Sequence, residues 1–587
     1  MKIKDRIYSI YLGLKQSIRR FPITIVFSAL MAILLIYFME NTANLTREIQ
    51  DKLIRIQMIV GMGIFLSLCI DLLKERFFEN AKAKILISHS LGIITLILYY
   101  LFLLKNFDFL SNVRYTGIMI FLLISFFYIP RIRKNHEDYE YYVVNIFSNF
   151  FLTMLYSLVL LLGIFAIFFT IDNLFDINIK EKFYFYIFII LTFIFAIPFF
   201  LSKVPKKNYE FIDYSYSKAL RILLSYIVIP LITIYTVILY IYFAKILISW
   251  EWPKGLVSHL VLWYSGISVG IIFLTNKVIE EDKISGWFRK LFPKLILPIL
   301  LMMFMSIGQR VNQYGITENR YYILALGIWV TGMMVYLSIK KQIRTILIPF
   351  TLSLIVLNSV IGPFSSFSVS KFSQNRRLNN ILKANNMLED NSIIPNPDLS
   401  LDGQREINNI IYYFNNKHSL KDIEILEDDF TLDDTEEIFG FAYEPDLQSQ
   451  YGGEEHIYFH TNLYEEVISI KDYDYYVNIA SWGKNRFTLE DINISYEMGK
   501  DILTISDENM ELAKIDLKEV IIDIYDKLNL NTQGIKDEKT AKEMTYEIEN
   551  KNIKVKLIIT NFSGTLNKHR DLNNIYSLEF IAFIKIK

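Results

Sequence analysis

The sequence predicts an α-helical polytopic membrane bundle of about eleven transmembrane helices, followed by a soluble α+β domain. Of its 587 residues, 53% are hydrophobic, including 45 Phe and 38 Tyr, which is more than the cores of a soluble chain require. Apolar runs of about 18 or more residues, long enough to cross a hydrocarbon core, recur from Phe21 to Gly362 and then stop. Beyond Pro363 the pattern changes to the alternation typical of strands.

Each predicted span is an apolar run bounded by polar or charged residues. Ionisable side chains inside these runs are few, with Asp71 and Lys245 near span ends, where long side chains can reach the interface. Pro198, Pro230 and Pro298 predict bends. The eleven predicted spans are Pro22–Met39, Ile56–Leu73, Ile85–Leu104, Val113–Ile129, Val143–Ile171, Phe183–Leu201, Ala219–Ser249, Leu256–Thr275, Leu291–Ile307, Tyr321–Ile339 and Thr345–Gly362.

Loop charges predict the orientation of the bundle. With the N-terminus inside, the inner segments hold 26 Lys and Arg and the outer segments hold 10, as expected because cytoplasmic loops carry the positive excess. An odd number of spans then places the C-terminal domain outside the cell. We therefore predict a multi-pass cell-membrane protein with a cytoplasmic N-terminus and an extracytoplasmic C-terminal domain.

Four segments are predicted along the chain. Residues 1–20 form a basic amphipathic interfacial helix, because Ile7, Ile10, Leu14 and Ile18 share one face. Residues 21–363 form the transmembrane domain, and its first run lacks an A-x-A cleavage pattern. Residues 364–394 form a juxtamembrane helix, for which Ser373 is the predicted cap. Residues 395–587 form the extracytoplasmic α+β domain.

The two halves of the chain carry opposite charge. Up to Pro363 there are 37 Lys and Arg against 21 Asp and Glu, and afterwards 24 against 40. A basic membrane half suits phospholipid headgroups, whereas an acidic soluble domain is poorly suited to nucleic acid. We expect membrane lipids as partners and no nucleic acid.

In the soluble domain, alternation predicts mostly antiparallel strands and a helix near Leu517–Leu528. A helix is expected over Glu406–Asn415, and the acidic run Glu427–Glu437 is interpreted as a solvated loop with a helix start. The predicted strand segments are HIYFHTNLY, EEVISI, YDYYVNIASW, FTLEDINISYEM, DILTISD, KVKLIITNF and IYSLEFIAFIKIK.

Signals of catalytic or metal chemistry are weak. Cys69 is the single cysteine, so no intrachain disulfide or thiol-metal cluster can form. His456 and His460 have a spacing that would allow chelation on a helix, but strand chemistry surrounds them and separates them by about 13 Å. Walker A, G-x-S-x-G and H-E-x-x-H motifs are absent. We predict no cofactor and no metal.

Several separated motifs resemble a known family. They are Ile229-Pro-Leu231, Glu251-Trp-Pro-Lys-Gly255, Arg310-Val-Asn-Gln-Tyr-Gly-Ile-Thr-Glu-Asn-Arg320, Gly362-Pro-Phe364 and Ser370-Lys-Phe-Ser-Gln-Asn-Arg-Arg-Leu378. In this order they resemble the bacterial integral membrane family catalogued as DUF4153, most strongly from about Asp213 to Leu388. The resemblance implies a multi-pass protein of the bacterial cell membrane. It implies no activity, substrate or catalytic residue.

The polar loop between the ninth and tenth spans supports two interpretations. In the first, Gly315 supplies a positive φ, Thr317 caps the next helix, and the polar groups only complete a hairpin. In the second, they converge with polar residues of two other loops into an outer-face pocket for an anionic headgroup or glycan. The cluster would comprise Glu251, Trp252, Lys254, Arg310, Gln313, Tyr314, Glu318, Asn319, Arg320, Lys371 and Arg376.

Three classes of function are compatible with these observations. The first is a binding, sensing or envelope-scaffold protein, whose partner would be an extracytoplasmic protein or an envelope glycan. The alternative is a membrane enzyme or transporter acting on an envelope lipid or glycan at the outer face. An ion-coupled transporter is disfavoured because the spans lack a series of acids or histidines.

Overall fold

A computed structural model describes most of the chain, which divides into one compact unit over Met1–Arg377 and a second over Leu378–Lys587. The described residues are 3–77, 82–105, 108–132, 138–175, 177, 179–207, 209, 211, 216–249, 256–277, 282–340, 342–390, 392–443, 455–461, 467–480, 485–489, 492–497, 500–507, 510–527, 540–566 and 572–587.

The first unit is built from helices. These are α1 (Ile3–Arg20), α2 (Pro22–Asn41), α3 (Arg47–Phe77), α4 (Lys82–Phe102), α5 (Phe109–Tyr128), α6 (Tyr139–Phe175), α7 (Glu181–Ile190), α8 (Ile197–Lys203), α9 (Lys218–Ile222), α10 (Ile229–Ser249), α11 (Leu256–Thr275), α12 (Lys283–Tyr314), α13 (Glu318–Ile339), α14 (Leu347–Val360) and α15 (Ser366–Ala384).

Within the described residues, nine helical segments are long and apolar enough to cross a membrane. They correspond to nine of the predicted spans, including the fourth, which lies within Phe109–Arg131. The third and eleventh predicted spans correspond to two shorter apolar helices, Leu86–Phe102 and Leu347–Val360. Multiple membrane-spanning helices are therefore supported, while the count of eleven and the orientation stay predictions.

Two of the predicted proline sites coincide with widened helical turns. A π-helical turn over Leu191–Ala196 precedes α8, whose second residue is Pro198. A second π-helical turn over Leu223–Val228 precedes α10, whose second residue is Pro230. Proline has no N–H to donate to the preceding turn, so a local change of helical register re-pairs the backbone. Pro298 lies inside α12 itself.

Small residues allow close helix packing in the first unit. A Cβ atom added to Gly117 of α5 would overlap the side chain of Val360 in α14. A Cβ atom added to Gly63 of α3 would lie 2.7 Å from Phe27 of α2. Helices in lipid have no hydrophobic driving force toward each other, so their association depends on van der Waals packing. Glycine allows the backbones to approach closely enough for that packing.

In its described residues, the second unit combines three further α-helices with eleven strands. The helices are α16 (Leu401–Lys417), α17 (Thr435–Phe439) and α18 (Leu517–Lys527). The strands are β1 (Leu388–Glu389), β2 (Ser392–Ile393), β3 (Glu455–His460), β4 (Tyr475–Ile479), β5 (Arg486–Leu489), β6 (Ile492–Glu497), β7 (Ile502–Asp507), β8 (Met510–Asp516), β9 (Thr545–Glu549), β10 (Ile553–Leu566) and β11 (Leu572–Ile586).

The strands form two larger sheets and one short hairpin. The first sheet has the order β3-β10-β11-β4, with β9 also paired to β10, and the second has the order β5-β6-β7-β8. All of these described pairs are antiparallel. The sheet-rich C-terminal region, the strand around His460 and the helix after Asp516 are confirmed.

Some predictions for this unit were wrong. Val467–Ile470, part of the predicted strand EEVISI, is not in a strand. The other two residues of that segment, Glu465 and Glu466, lie outside the described residues. The strands β8 and β9 were not predicted. β8 carries Glu511 and Lys514 and lies next to the start of a helix, which weakens the alternation of apolar and polar residues that predicts a strand. Its pairing with β7 decides its conformation.

The predicted cap of the juxtamembrane helix was also wrong. The helix α15 begins at Ser366, so Ser373 lies in its second turn, and the hydroxyl of Ser365 accepts a hydrogen bond from the N–H of Ser368 (3.4 Å). Gly362, with φ 90°, turns the chain before this cap. The helix ends at Ala384, and Asn386 adopts a φ of 57° before β1 begins.

The described residues of the second unit form two apolar cores. One lies among helices and contains the fully buried Leu382, Ile407, Ile411, Phe414 and Phe439. The other lies among the strands and α18, with large buried side chains that include Phe459, Phe562 and Phe580. The acidic run folds as predicted, because Thr431 and Asp434 form a capping box that starts a short helix.

Candidate functional site

The turn between α12 and α13, residues Tyr314–Thr317, is the centre of the predicted polar cluster. Gly315 ends α12 with φ 69°, as predicted, and its N–H donates to the carbonyl of Val311 (2.9 Å). A Cβ atom at this position would lie 2.9 Å from Nε2 of Gln374 and 3.2 Å from Oγ of Ser373. Both the backbone angle and the lack of space therefore require glycine.

Two side chains of α15 hold this turn. The N–H of Ile316 donates to Oγ of Ser373 (2.8 Å). The side-chain amide of Gln374 donates to the carbonyls of Tyr314 (3.0 Å) and Ile316 (3.1 Å). Gln374 is 2% exposed, so these contacts satisfy a buried amide. We call Gly315, Ile316, Arg320, Ser373 and Gln374 the turn clamp.

Arginine completes the clamp from α13. Nη1 of Arg320 donates to the carbonyls of Gly315 (2.9 Å) and Tyr314 (3.2 Å). Its guanidinium carbon also lies 5.5 Å from the centre of the Tyr314 ring, and that of Arg377 lies 5.7 Å from the same ring. Two cations therefore contact one aromatic ring, a favourable electrostatic arrangement.

Contrary to the prediction, the side chain of Thr317 does not cap α13. Glu318 is the first residue of α13 as expected, but Thr317 makes no side-chain capping hydrogen bond, and its carbonyl accepts from the N–H of Tyr321 (2.8 Å). The turn is instead held by Ser373 and Gln374. These contacts fix the turn before α13 and leave the first N–H groups of the helix to other partners.

The predicted site residues differ in exposure. Tyr314 contacts Arg320 of the clamp, and Glu318 at the start of α13 is buried. Gln313, Asn319 and Arg376 are exposed, while Arg310 and Lys371 are partly buried. Glu251, Trp252 and Lys254 lie outside the described residues.

Several residues of this region were not predicted as site residues. Ser373, Gln374 and Arg377 lie within the motif Ser370–Leu378 on which the family resemblance rests, and this motif was the available signal. Tyr321 and Tyr322 of α13 were missed as well. Their hydroxyls contact the carbonyl of Phe364 (2.6 Å) and Oγ of Ser366 (3.1 Å) at the start of α15.

A second polar cluster, also missed, surrounds Glu140 at the start of α6. Oε1 of this buried carboxylate accepts from Nδ2 of Asn276 (2.6 Å) and from Oγ1 of Thr345 (3.0 Å). Oδ1 of Asn276 in turn accepts from Nη1 of Arg289 in α12 (2.6 Å). The network joins segments far apart in sequence and, in a largely apolar unit, satisfies buried polar groups at helix ends.

Further polar contacts connect α1, α3, α4 and the segment that follows α8. Arg20 forms a bidentate ion pair with Glu75 (2.7 and 2.9 Å), and also donates to the carbonyl of Pro205 (3.1 Å). Nε2 of His89 lies 3.2 Å from Oδ1 of Asp71, and both side chains are buried. Asp71, predicted near a span end, therefore has a partner in the adjacent helix, as membrane-embedded acids commonly do.

In the part of the chain that the structure describes, no three His, Cys, Asp or Glu side chains are grouped to hold a metal ion.

The long apolar helices and the separate sheet-rich unit define the class of a multi-pass α-helical membrane protein with a folded C-terminal unit. The chain belongs to the family described as Domain of unknown function (DUF4153), whose sequence model matches residues 24–409. This match begins within α2, includes α3 to α15 and ends within α16, and it therefore contains the turn clamp. The resemblance seen in the motifs is confirmed.

One curated relative is an uncharacterized protein of Pasteurella multocida (strain Pm70). It is 26% identical over 354 residues, which cover 58% of this chain and 57% of the relative. The chain thus spans little more than half the length of that relative. No solved structure matches this chain.

Proposed function

We propose that this protein is a bacterial inner-membrane binding, sensing or envelope-scaffold protein whose C-terminal domain is extracytoplasmic. The observation that carries the proposal is the turn clamp. Its polar groups are used to hold a helical hairpin, since Arg320 and Gln374 donate to turn carbonyls and Ser373 accepts from Ile316. A rigid frame of this kind positions a surface for recognition.

The exposed side chains beside the frame supply the proposed recognition surface. Gln313 and Asn319 flank the turn in sequence, and Arg376 follows Gln374 on α15; all three are exposed. Together with the partly buried Arg310, they offer amide and guanidinium donors for an anionic or hydroxyl-rich group. An envelope glycan or an anionic lipid headgroup at the outer face has that chemistry.

The enzyme or transporter alternative depends on other residues. It would need Glu251 to face the arginines of the cluster, and Glu251 lies outside the described residues. The observed use of Arg320 as a backbone donor favours a binding surface, because a group held by two carbonyls has little freedom to take part in chemistry.

Mass spectrometry of gently solubilised protein tests the proposal. We expect an anionic lipid or glycan to co-purify with the wild-type chain and to be lost from an Arg310→Gln, Arg376→Gln variant that stays folded. A bidentate arginine contact contributes about 1.5–3 kcal/mol of binding, so the loss should exceed tenfold. An Arg405→Gln, Lys421→Gln variant of the second unit is the matched control, and unchanged content in the first variant would contradict the proposal.

Topology is tested separately. Reporter fusions after Lys341 and after Asn391 should report the cytoplasm and the exterior, respectively, if eleven spans are correct. The same compartment at both positions would contradict the predicted orientation of the C-terminal domain.

A further inference from the structure

A cavity of about 520 Å³ lies between α10 and α12. Val237, Ile241 and Ala244 form one wall, and Trp287, Phe292 and Leu295 form the other. Both helices belong to segments apolar and long enough to cross a membrane. We call this cavity the α10–α12 groove, and its volume falls in the range of about 300–1,000 Å³ that is typical of small-molecule sites.

The groove offers almost purely apolar chemistry. Its three lining hydroxyls are already satisfied by carbonyl groups. Thr233 donates to Ile229 (2.8 Å), Thr236 to Ile232 (2.7 Å) and Tyr240 to Leu295 (2.6 Å). An apolar cavity does not hold ordered water well, because water needs two to four polar partners. A hydrocarbon chain is the occupant that this lining fits.

A stripe of cations runs beside the groove on α12. Lys283, Lys290 and Lys294 are exposed, and the spacing of Lys283, Trp287, Lys290 and Lys294 places these four side chains on one helical face. Trp287 thus belongs both to this lysine stripe and to the wall of the groove. None of the three lysines forms an ion pair with a described residue.

Apolar contact alone cannot select a lipid, because lipid tails are as apolar as the groove itself. Selection must come from the headgroup, and basic clusters beside membrane helices attract anionic phospholipids. We propose that the α10–α12 groove holds an acyl chain of an anionic phospholipid whose headgroup pairs with Lys290 and Lys294.

This site is distinct from the turn clamp. Leu295 and Tyr314 are separated along α12 by roughly 28 Å at 1.5 Å per residue. The lipid site therefore does not depend on the proposed function. The mass-spectrometric comparison of the Arg310→Gln, Arg376→Gln variant is made in a Lys290→Gln, Lys294→Gln background, so that lipid held in the groove does not mask a loss at the turn clamp.

Fluorescence of Trp287 tests the proposal directly. The full-length protein is reconstituted into phosphatidylcholine vesicles with a small, fixed fraction of either brominated phosphatidylglycerol or brominated phosphatidylcholine. Bromine atoms quench a nearby tryptophan, and subtraction of the Trp287→Phe signal isolates Trp287 from the other five tryptophans. We expect stronger quenching by the anionic lipid, with an apparent preference on the order of 25-fold, because each of the two lysines contributes a factor of about five.

Three variants assign the effect. Lys290→Gln, Lys294→Gln should abolish the preference for the anionic lipid, whereas Lys15→Gln, Lys340→Gln, which removes two exposed lysines elsewhere, should retain it. Ala244→Phe should reduce quenching by both lipids because it fills the groove. Equal quenching of wild-type Trp287 by the two lipids would overturn the headgroup assignment, and absence of quenching would overturn occupation of the groove by an acyl chain.

Discussion

Replacement of Gln374 by Glu tests the turn clamp most directly. The two side chains have nearly the same size, but Glu lacks the amide donor that bonds the carbonyls of Tyr314 and Ile316. The loss of two hydrogen bonds costs about 1 kcal/mol each, and leaving buried polar atoms unpaired adds about 1–3 kcal/mol. Because Gln374 is 2% exposed, water cannot replace the donor, and we expect a total loss of about 3–5 kcal/mol.

Unfolding of the purified protein in mixed micelles, followed by circular dichroism, measures this loss. Gln313→Glu is the matched control, because Gln313 is exposed beside the same turn and the change in charge is identical. We expect the control to stay within about 0.5 kcal/mol of the wild type. If both variants lose stability equally, or neither does, the hydrogen bonds of Gln374 do not hold the turn and the clamp is refuted.

Three other predictions concern the two units separately. A fragment of residues 378–587 should melt cooperatively by circular dichroism, and a fragment of residues 395–587 should be less stable by about 3–6 kcal/mol. The shorter fragment lacks Leu378 and Leu382, which are fully buried in the helical core and contribute about 1.5–3 kcal/mol each. Equal stability of the two fragments would contradict this prediction. Burial raises the pKa of Asp501 in the folded state, so the folded protein favours the protonated carboxyl. The stability that this group contributes is therefore fully present below its unfolded pKa of about 3.9, and it is lost as pH rises through the folded pKa. Asparagine tolerates the observed φ of 56° at this position. In urea titrations, the free energy of unfolding of Asp501→Asn should therefore rise relative to that of the wild type between acid and neutral pH. A difference in free energy that stays constant with pH would argue against the pKa shift. Glu140→Ala leaves the donors of Asn276 and Thr345 unpaired and should destabilise by about 2–4 kcal/mol in mixed micelles, more than Glu140→Gln, which keeps an acceptor; equal losses would show that the network does not depend on that oxygen.

Local patterns were sufficient to predict the coarse organisation of the chain. Hydropathy located the apolar helices because the length of an apolar run is set by the membrane itself. Alternation located β4, β7, β10 and β11, whose side chains face a core on one side. Gly315 was predicted to adopt positive φ from its place between two apolar runs, since this property depends on the residue and its neighbours in sequence.

Other features depend on contacts between distant segments. Ser373 was predicted to start a helix, yet α15 begins at Ser366 and Ser373 bonds the N–H of Ile316, 57 residues earlier. Glu140 has partners 136 and 205 residues away, and no local pattern encodes such pairs. β8 acquires its conformation by pairing with β7.

The sequence by itself thus determined where the chain is apolar, where it alternates and where a glycine is required. Only the tertiary structure decided which polar groups meet, because hydropathy and periodicity act over a few residues. The hydrogen-bond partner of Gln374 or Glu140 depends on which helices pack together, and that packing is a property of the whole fold.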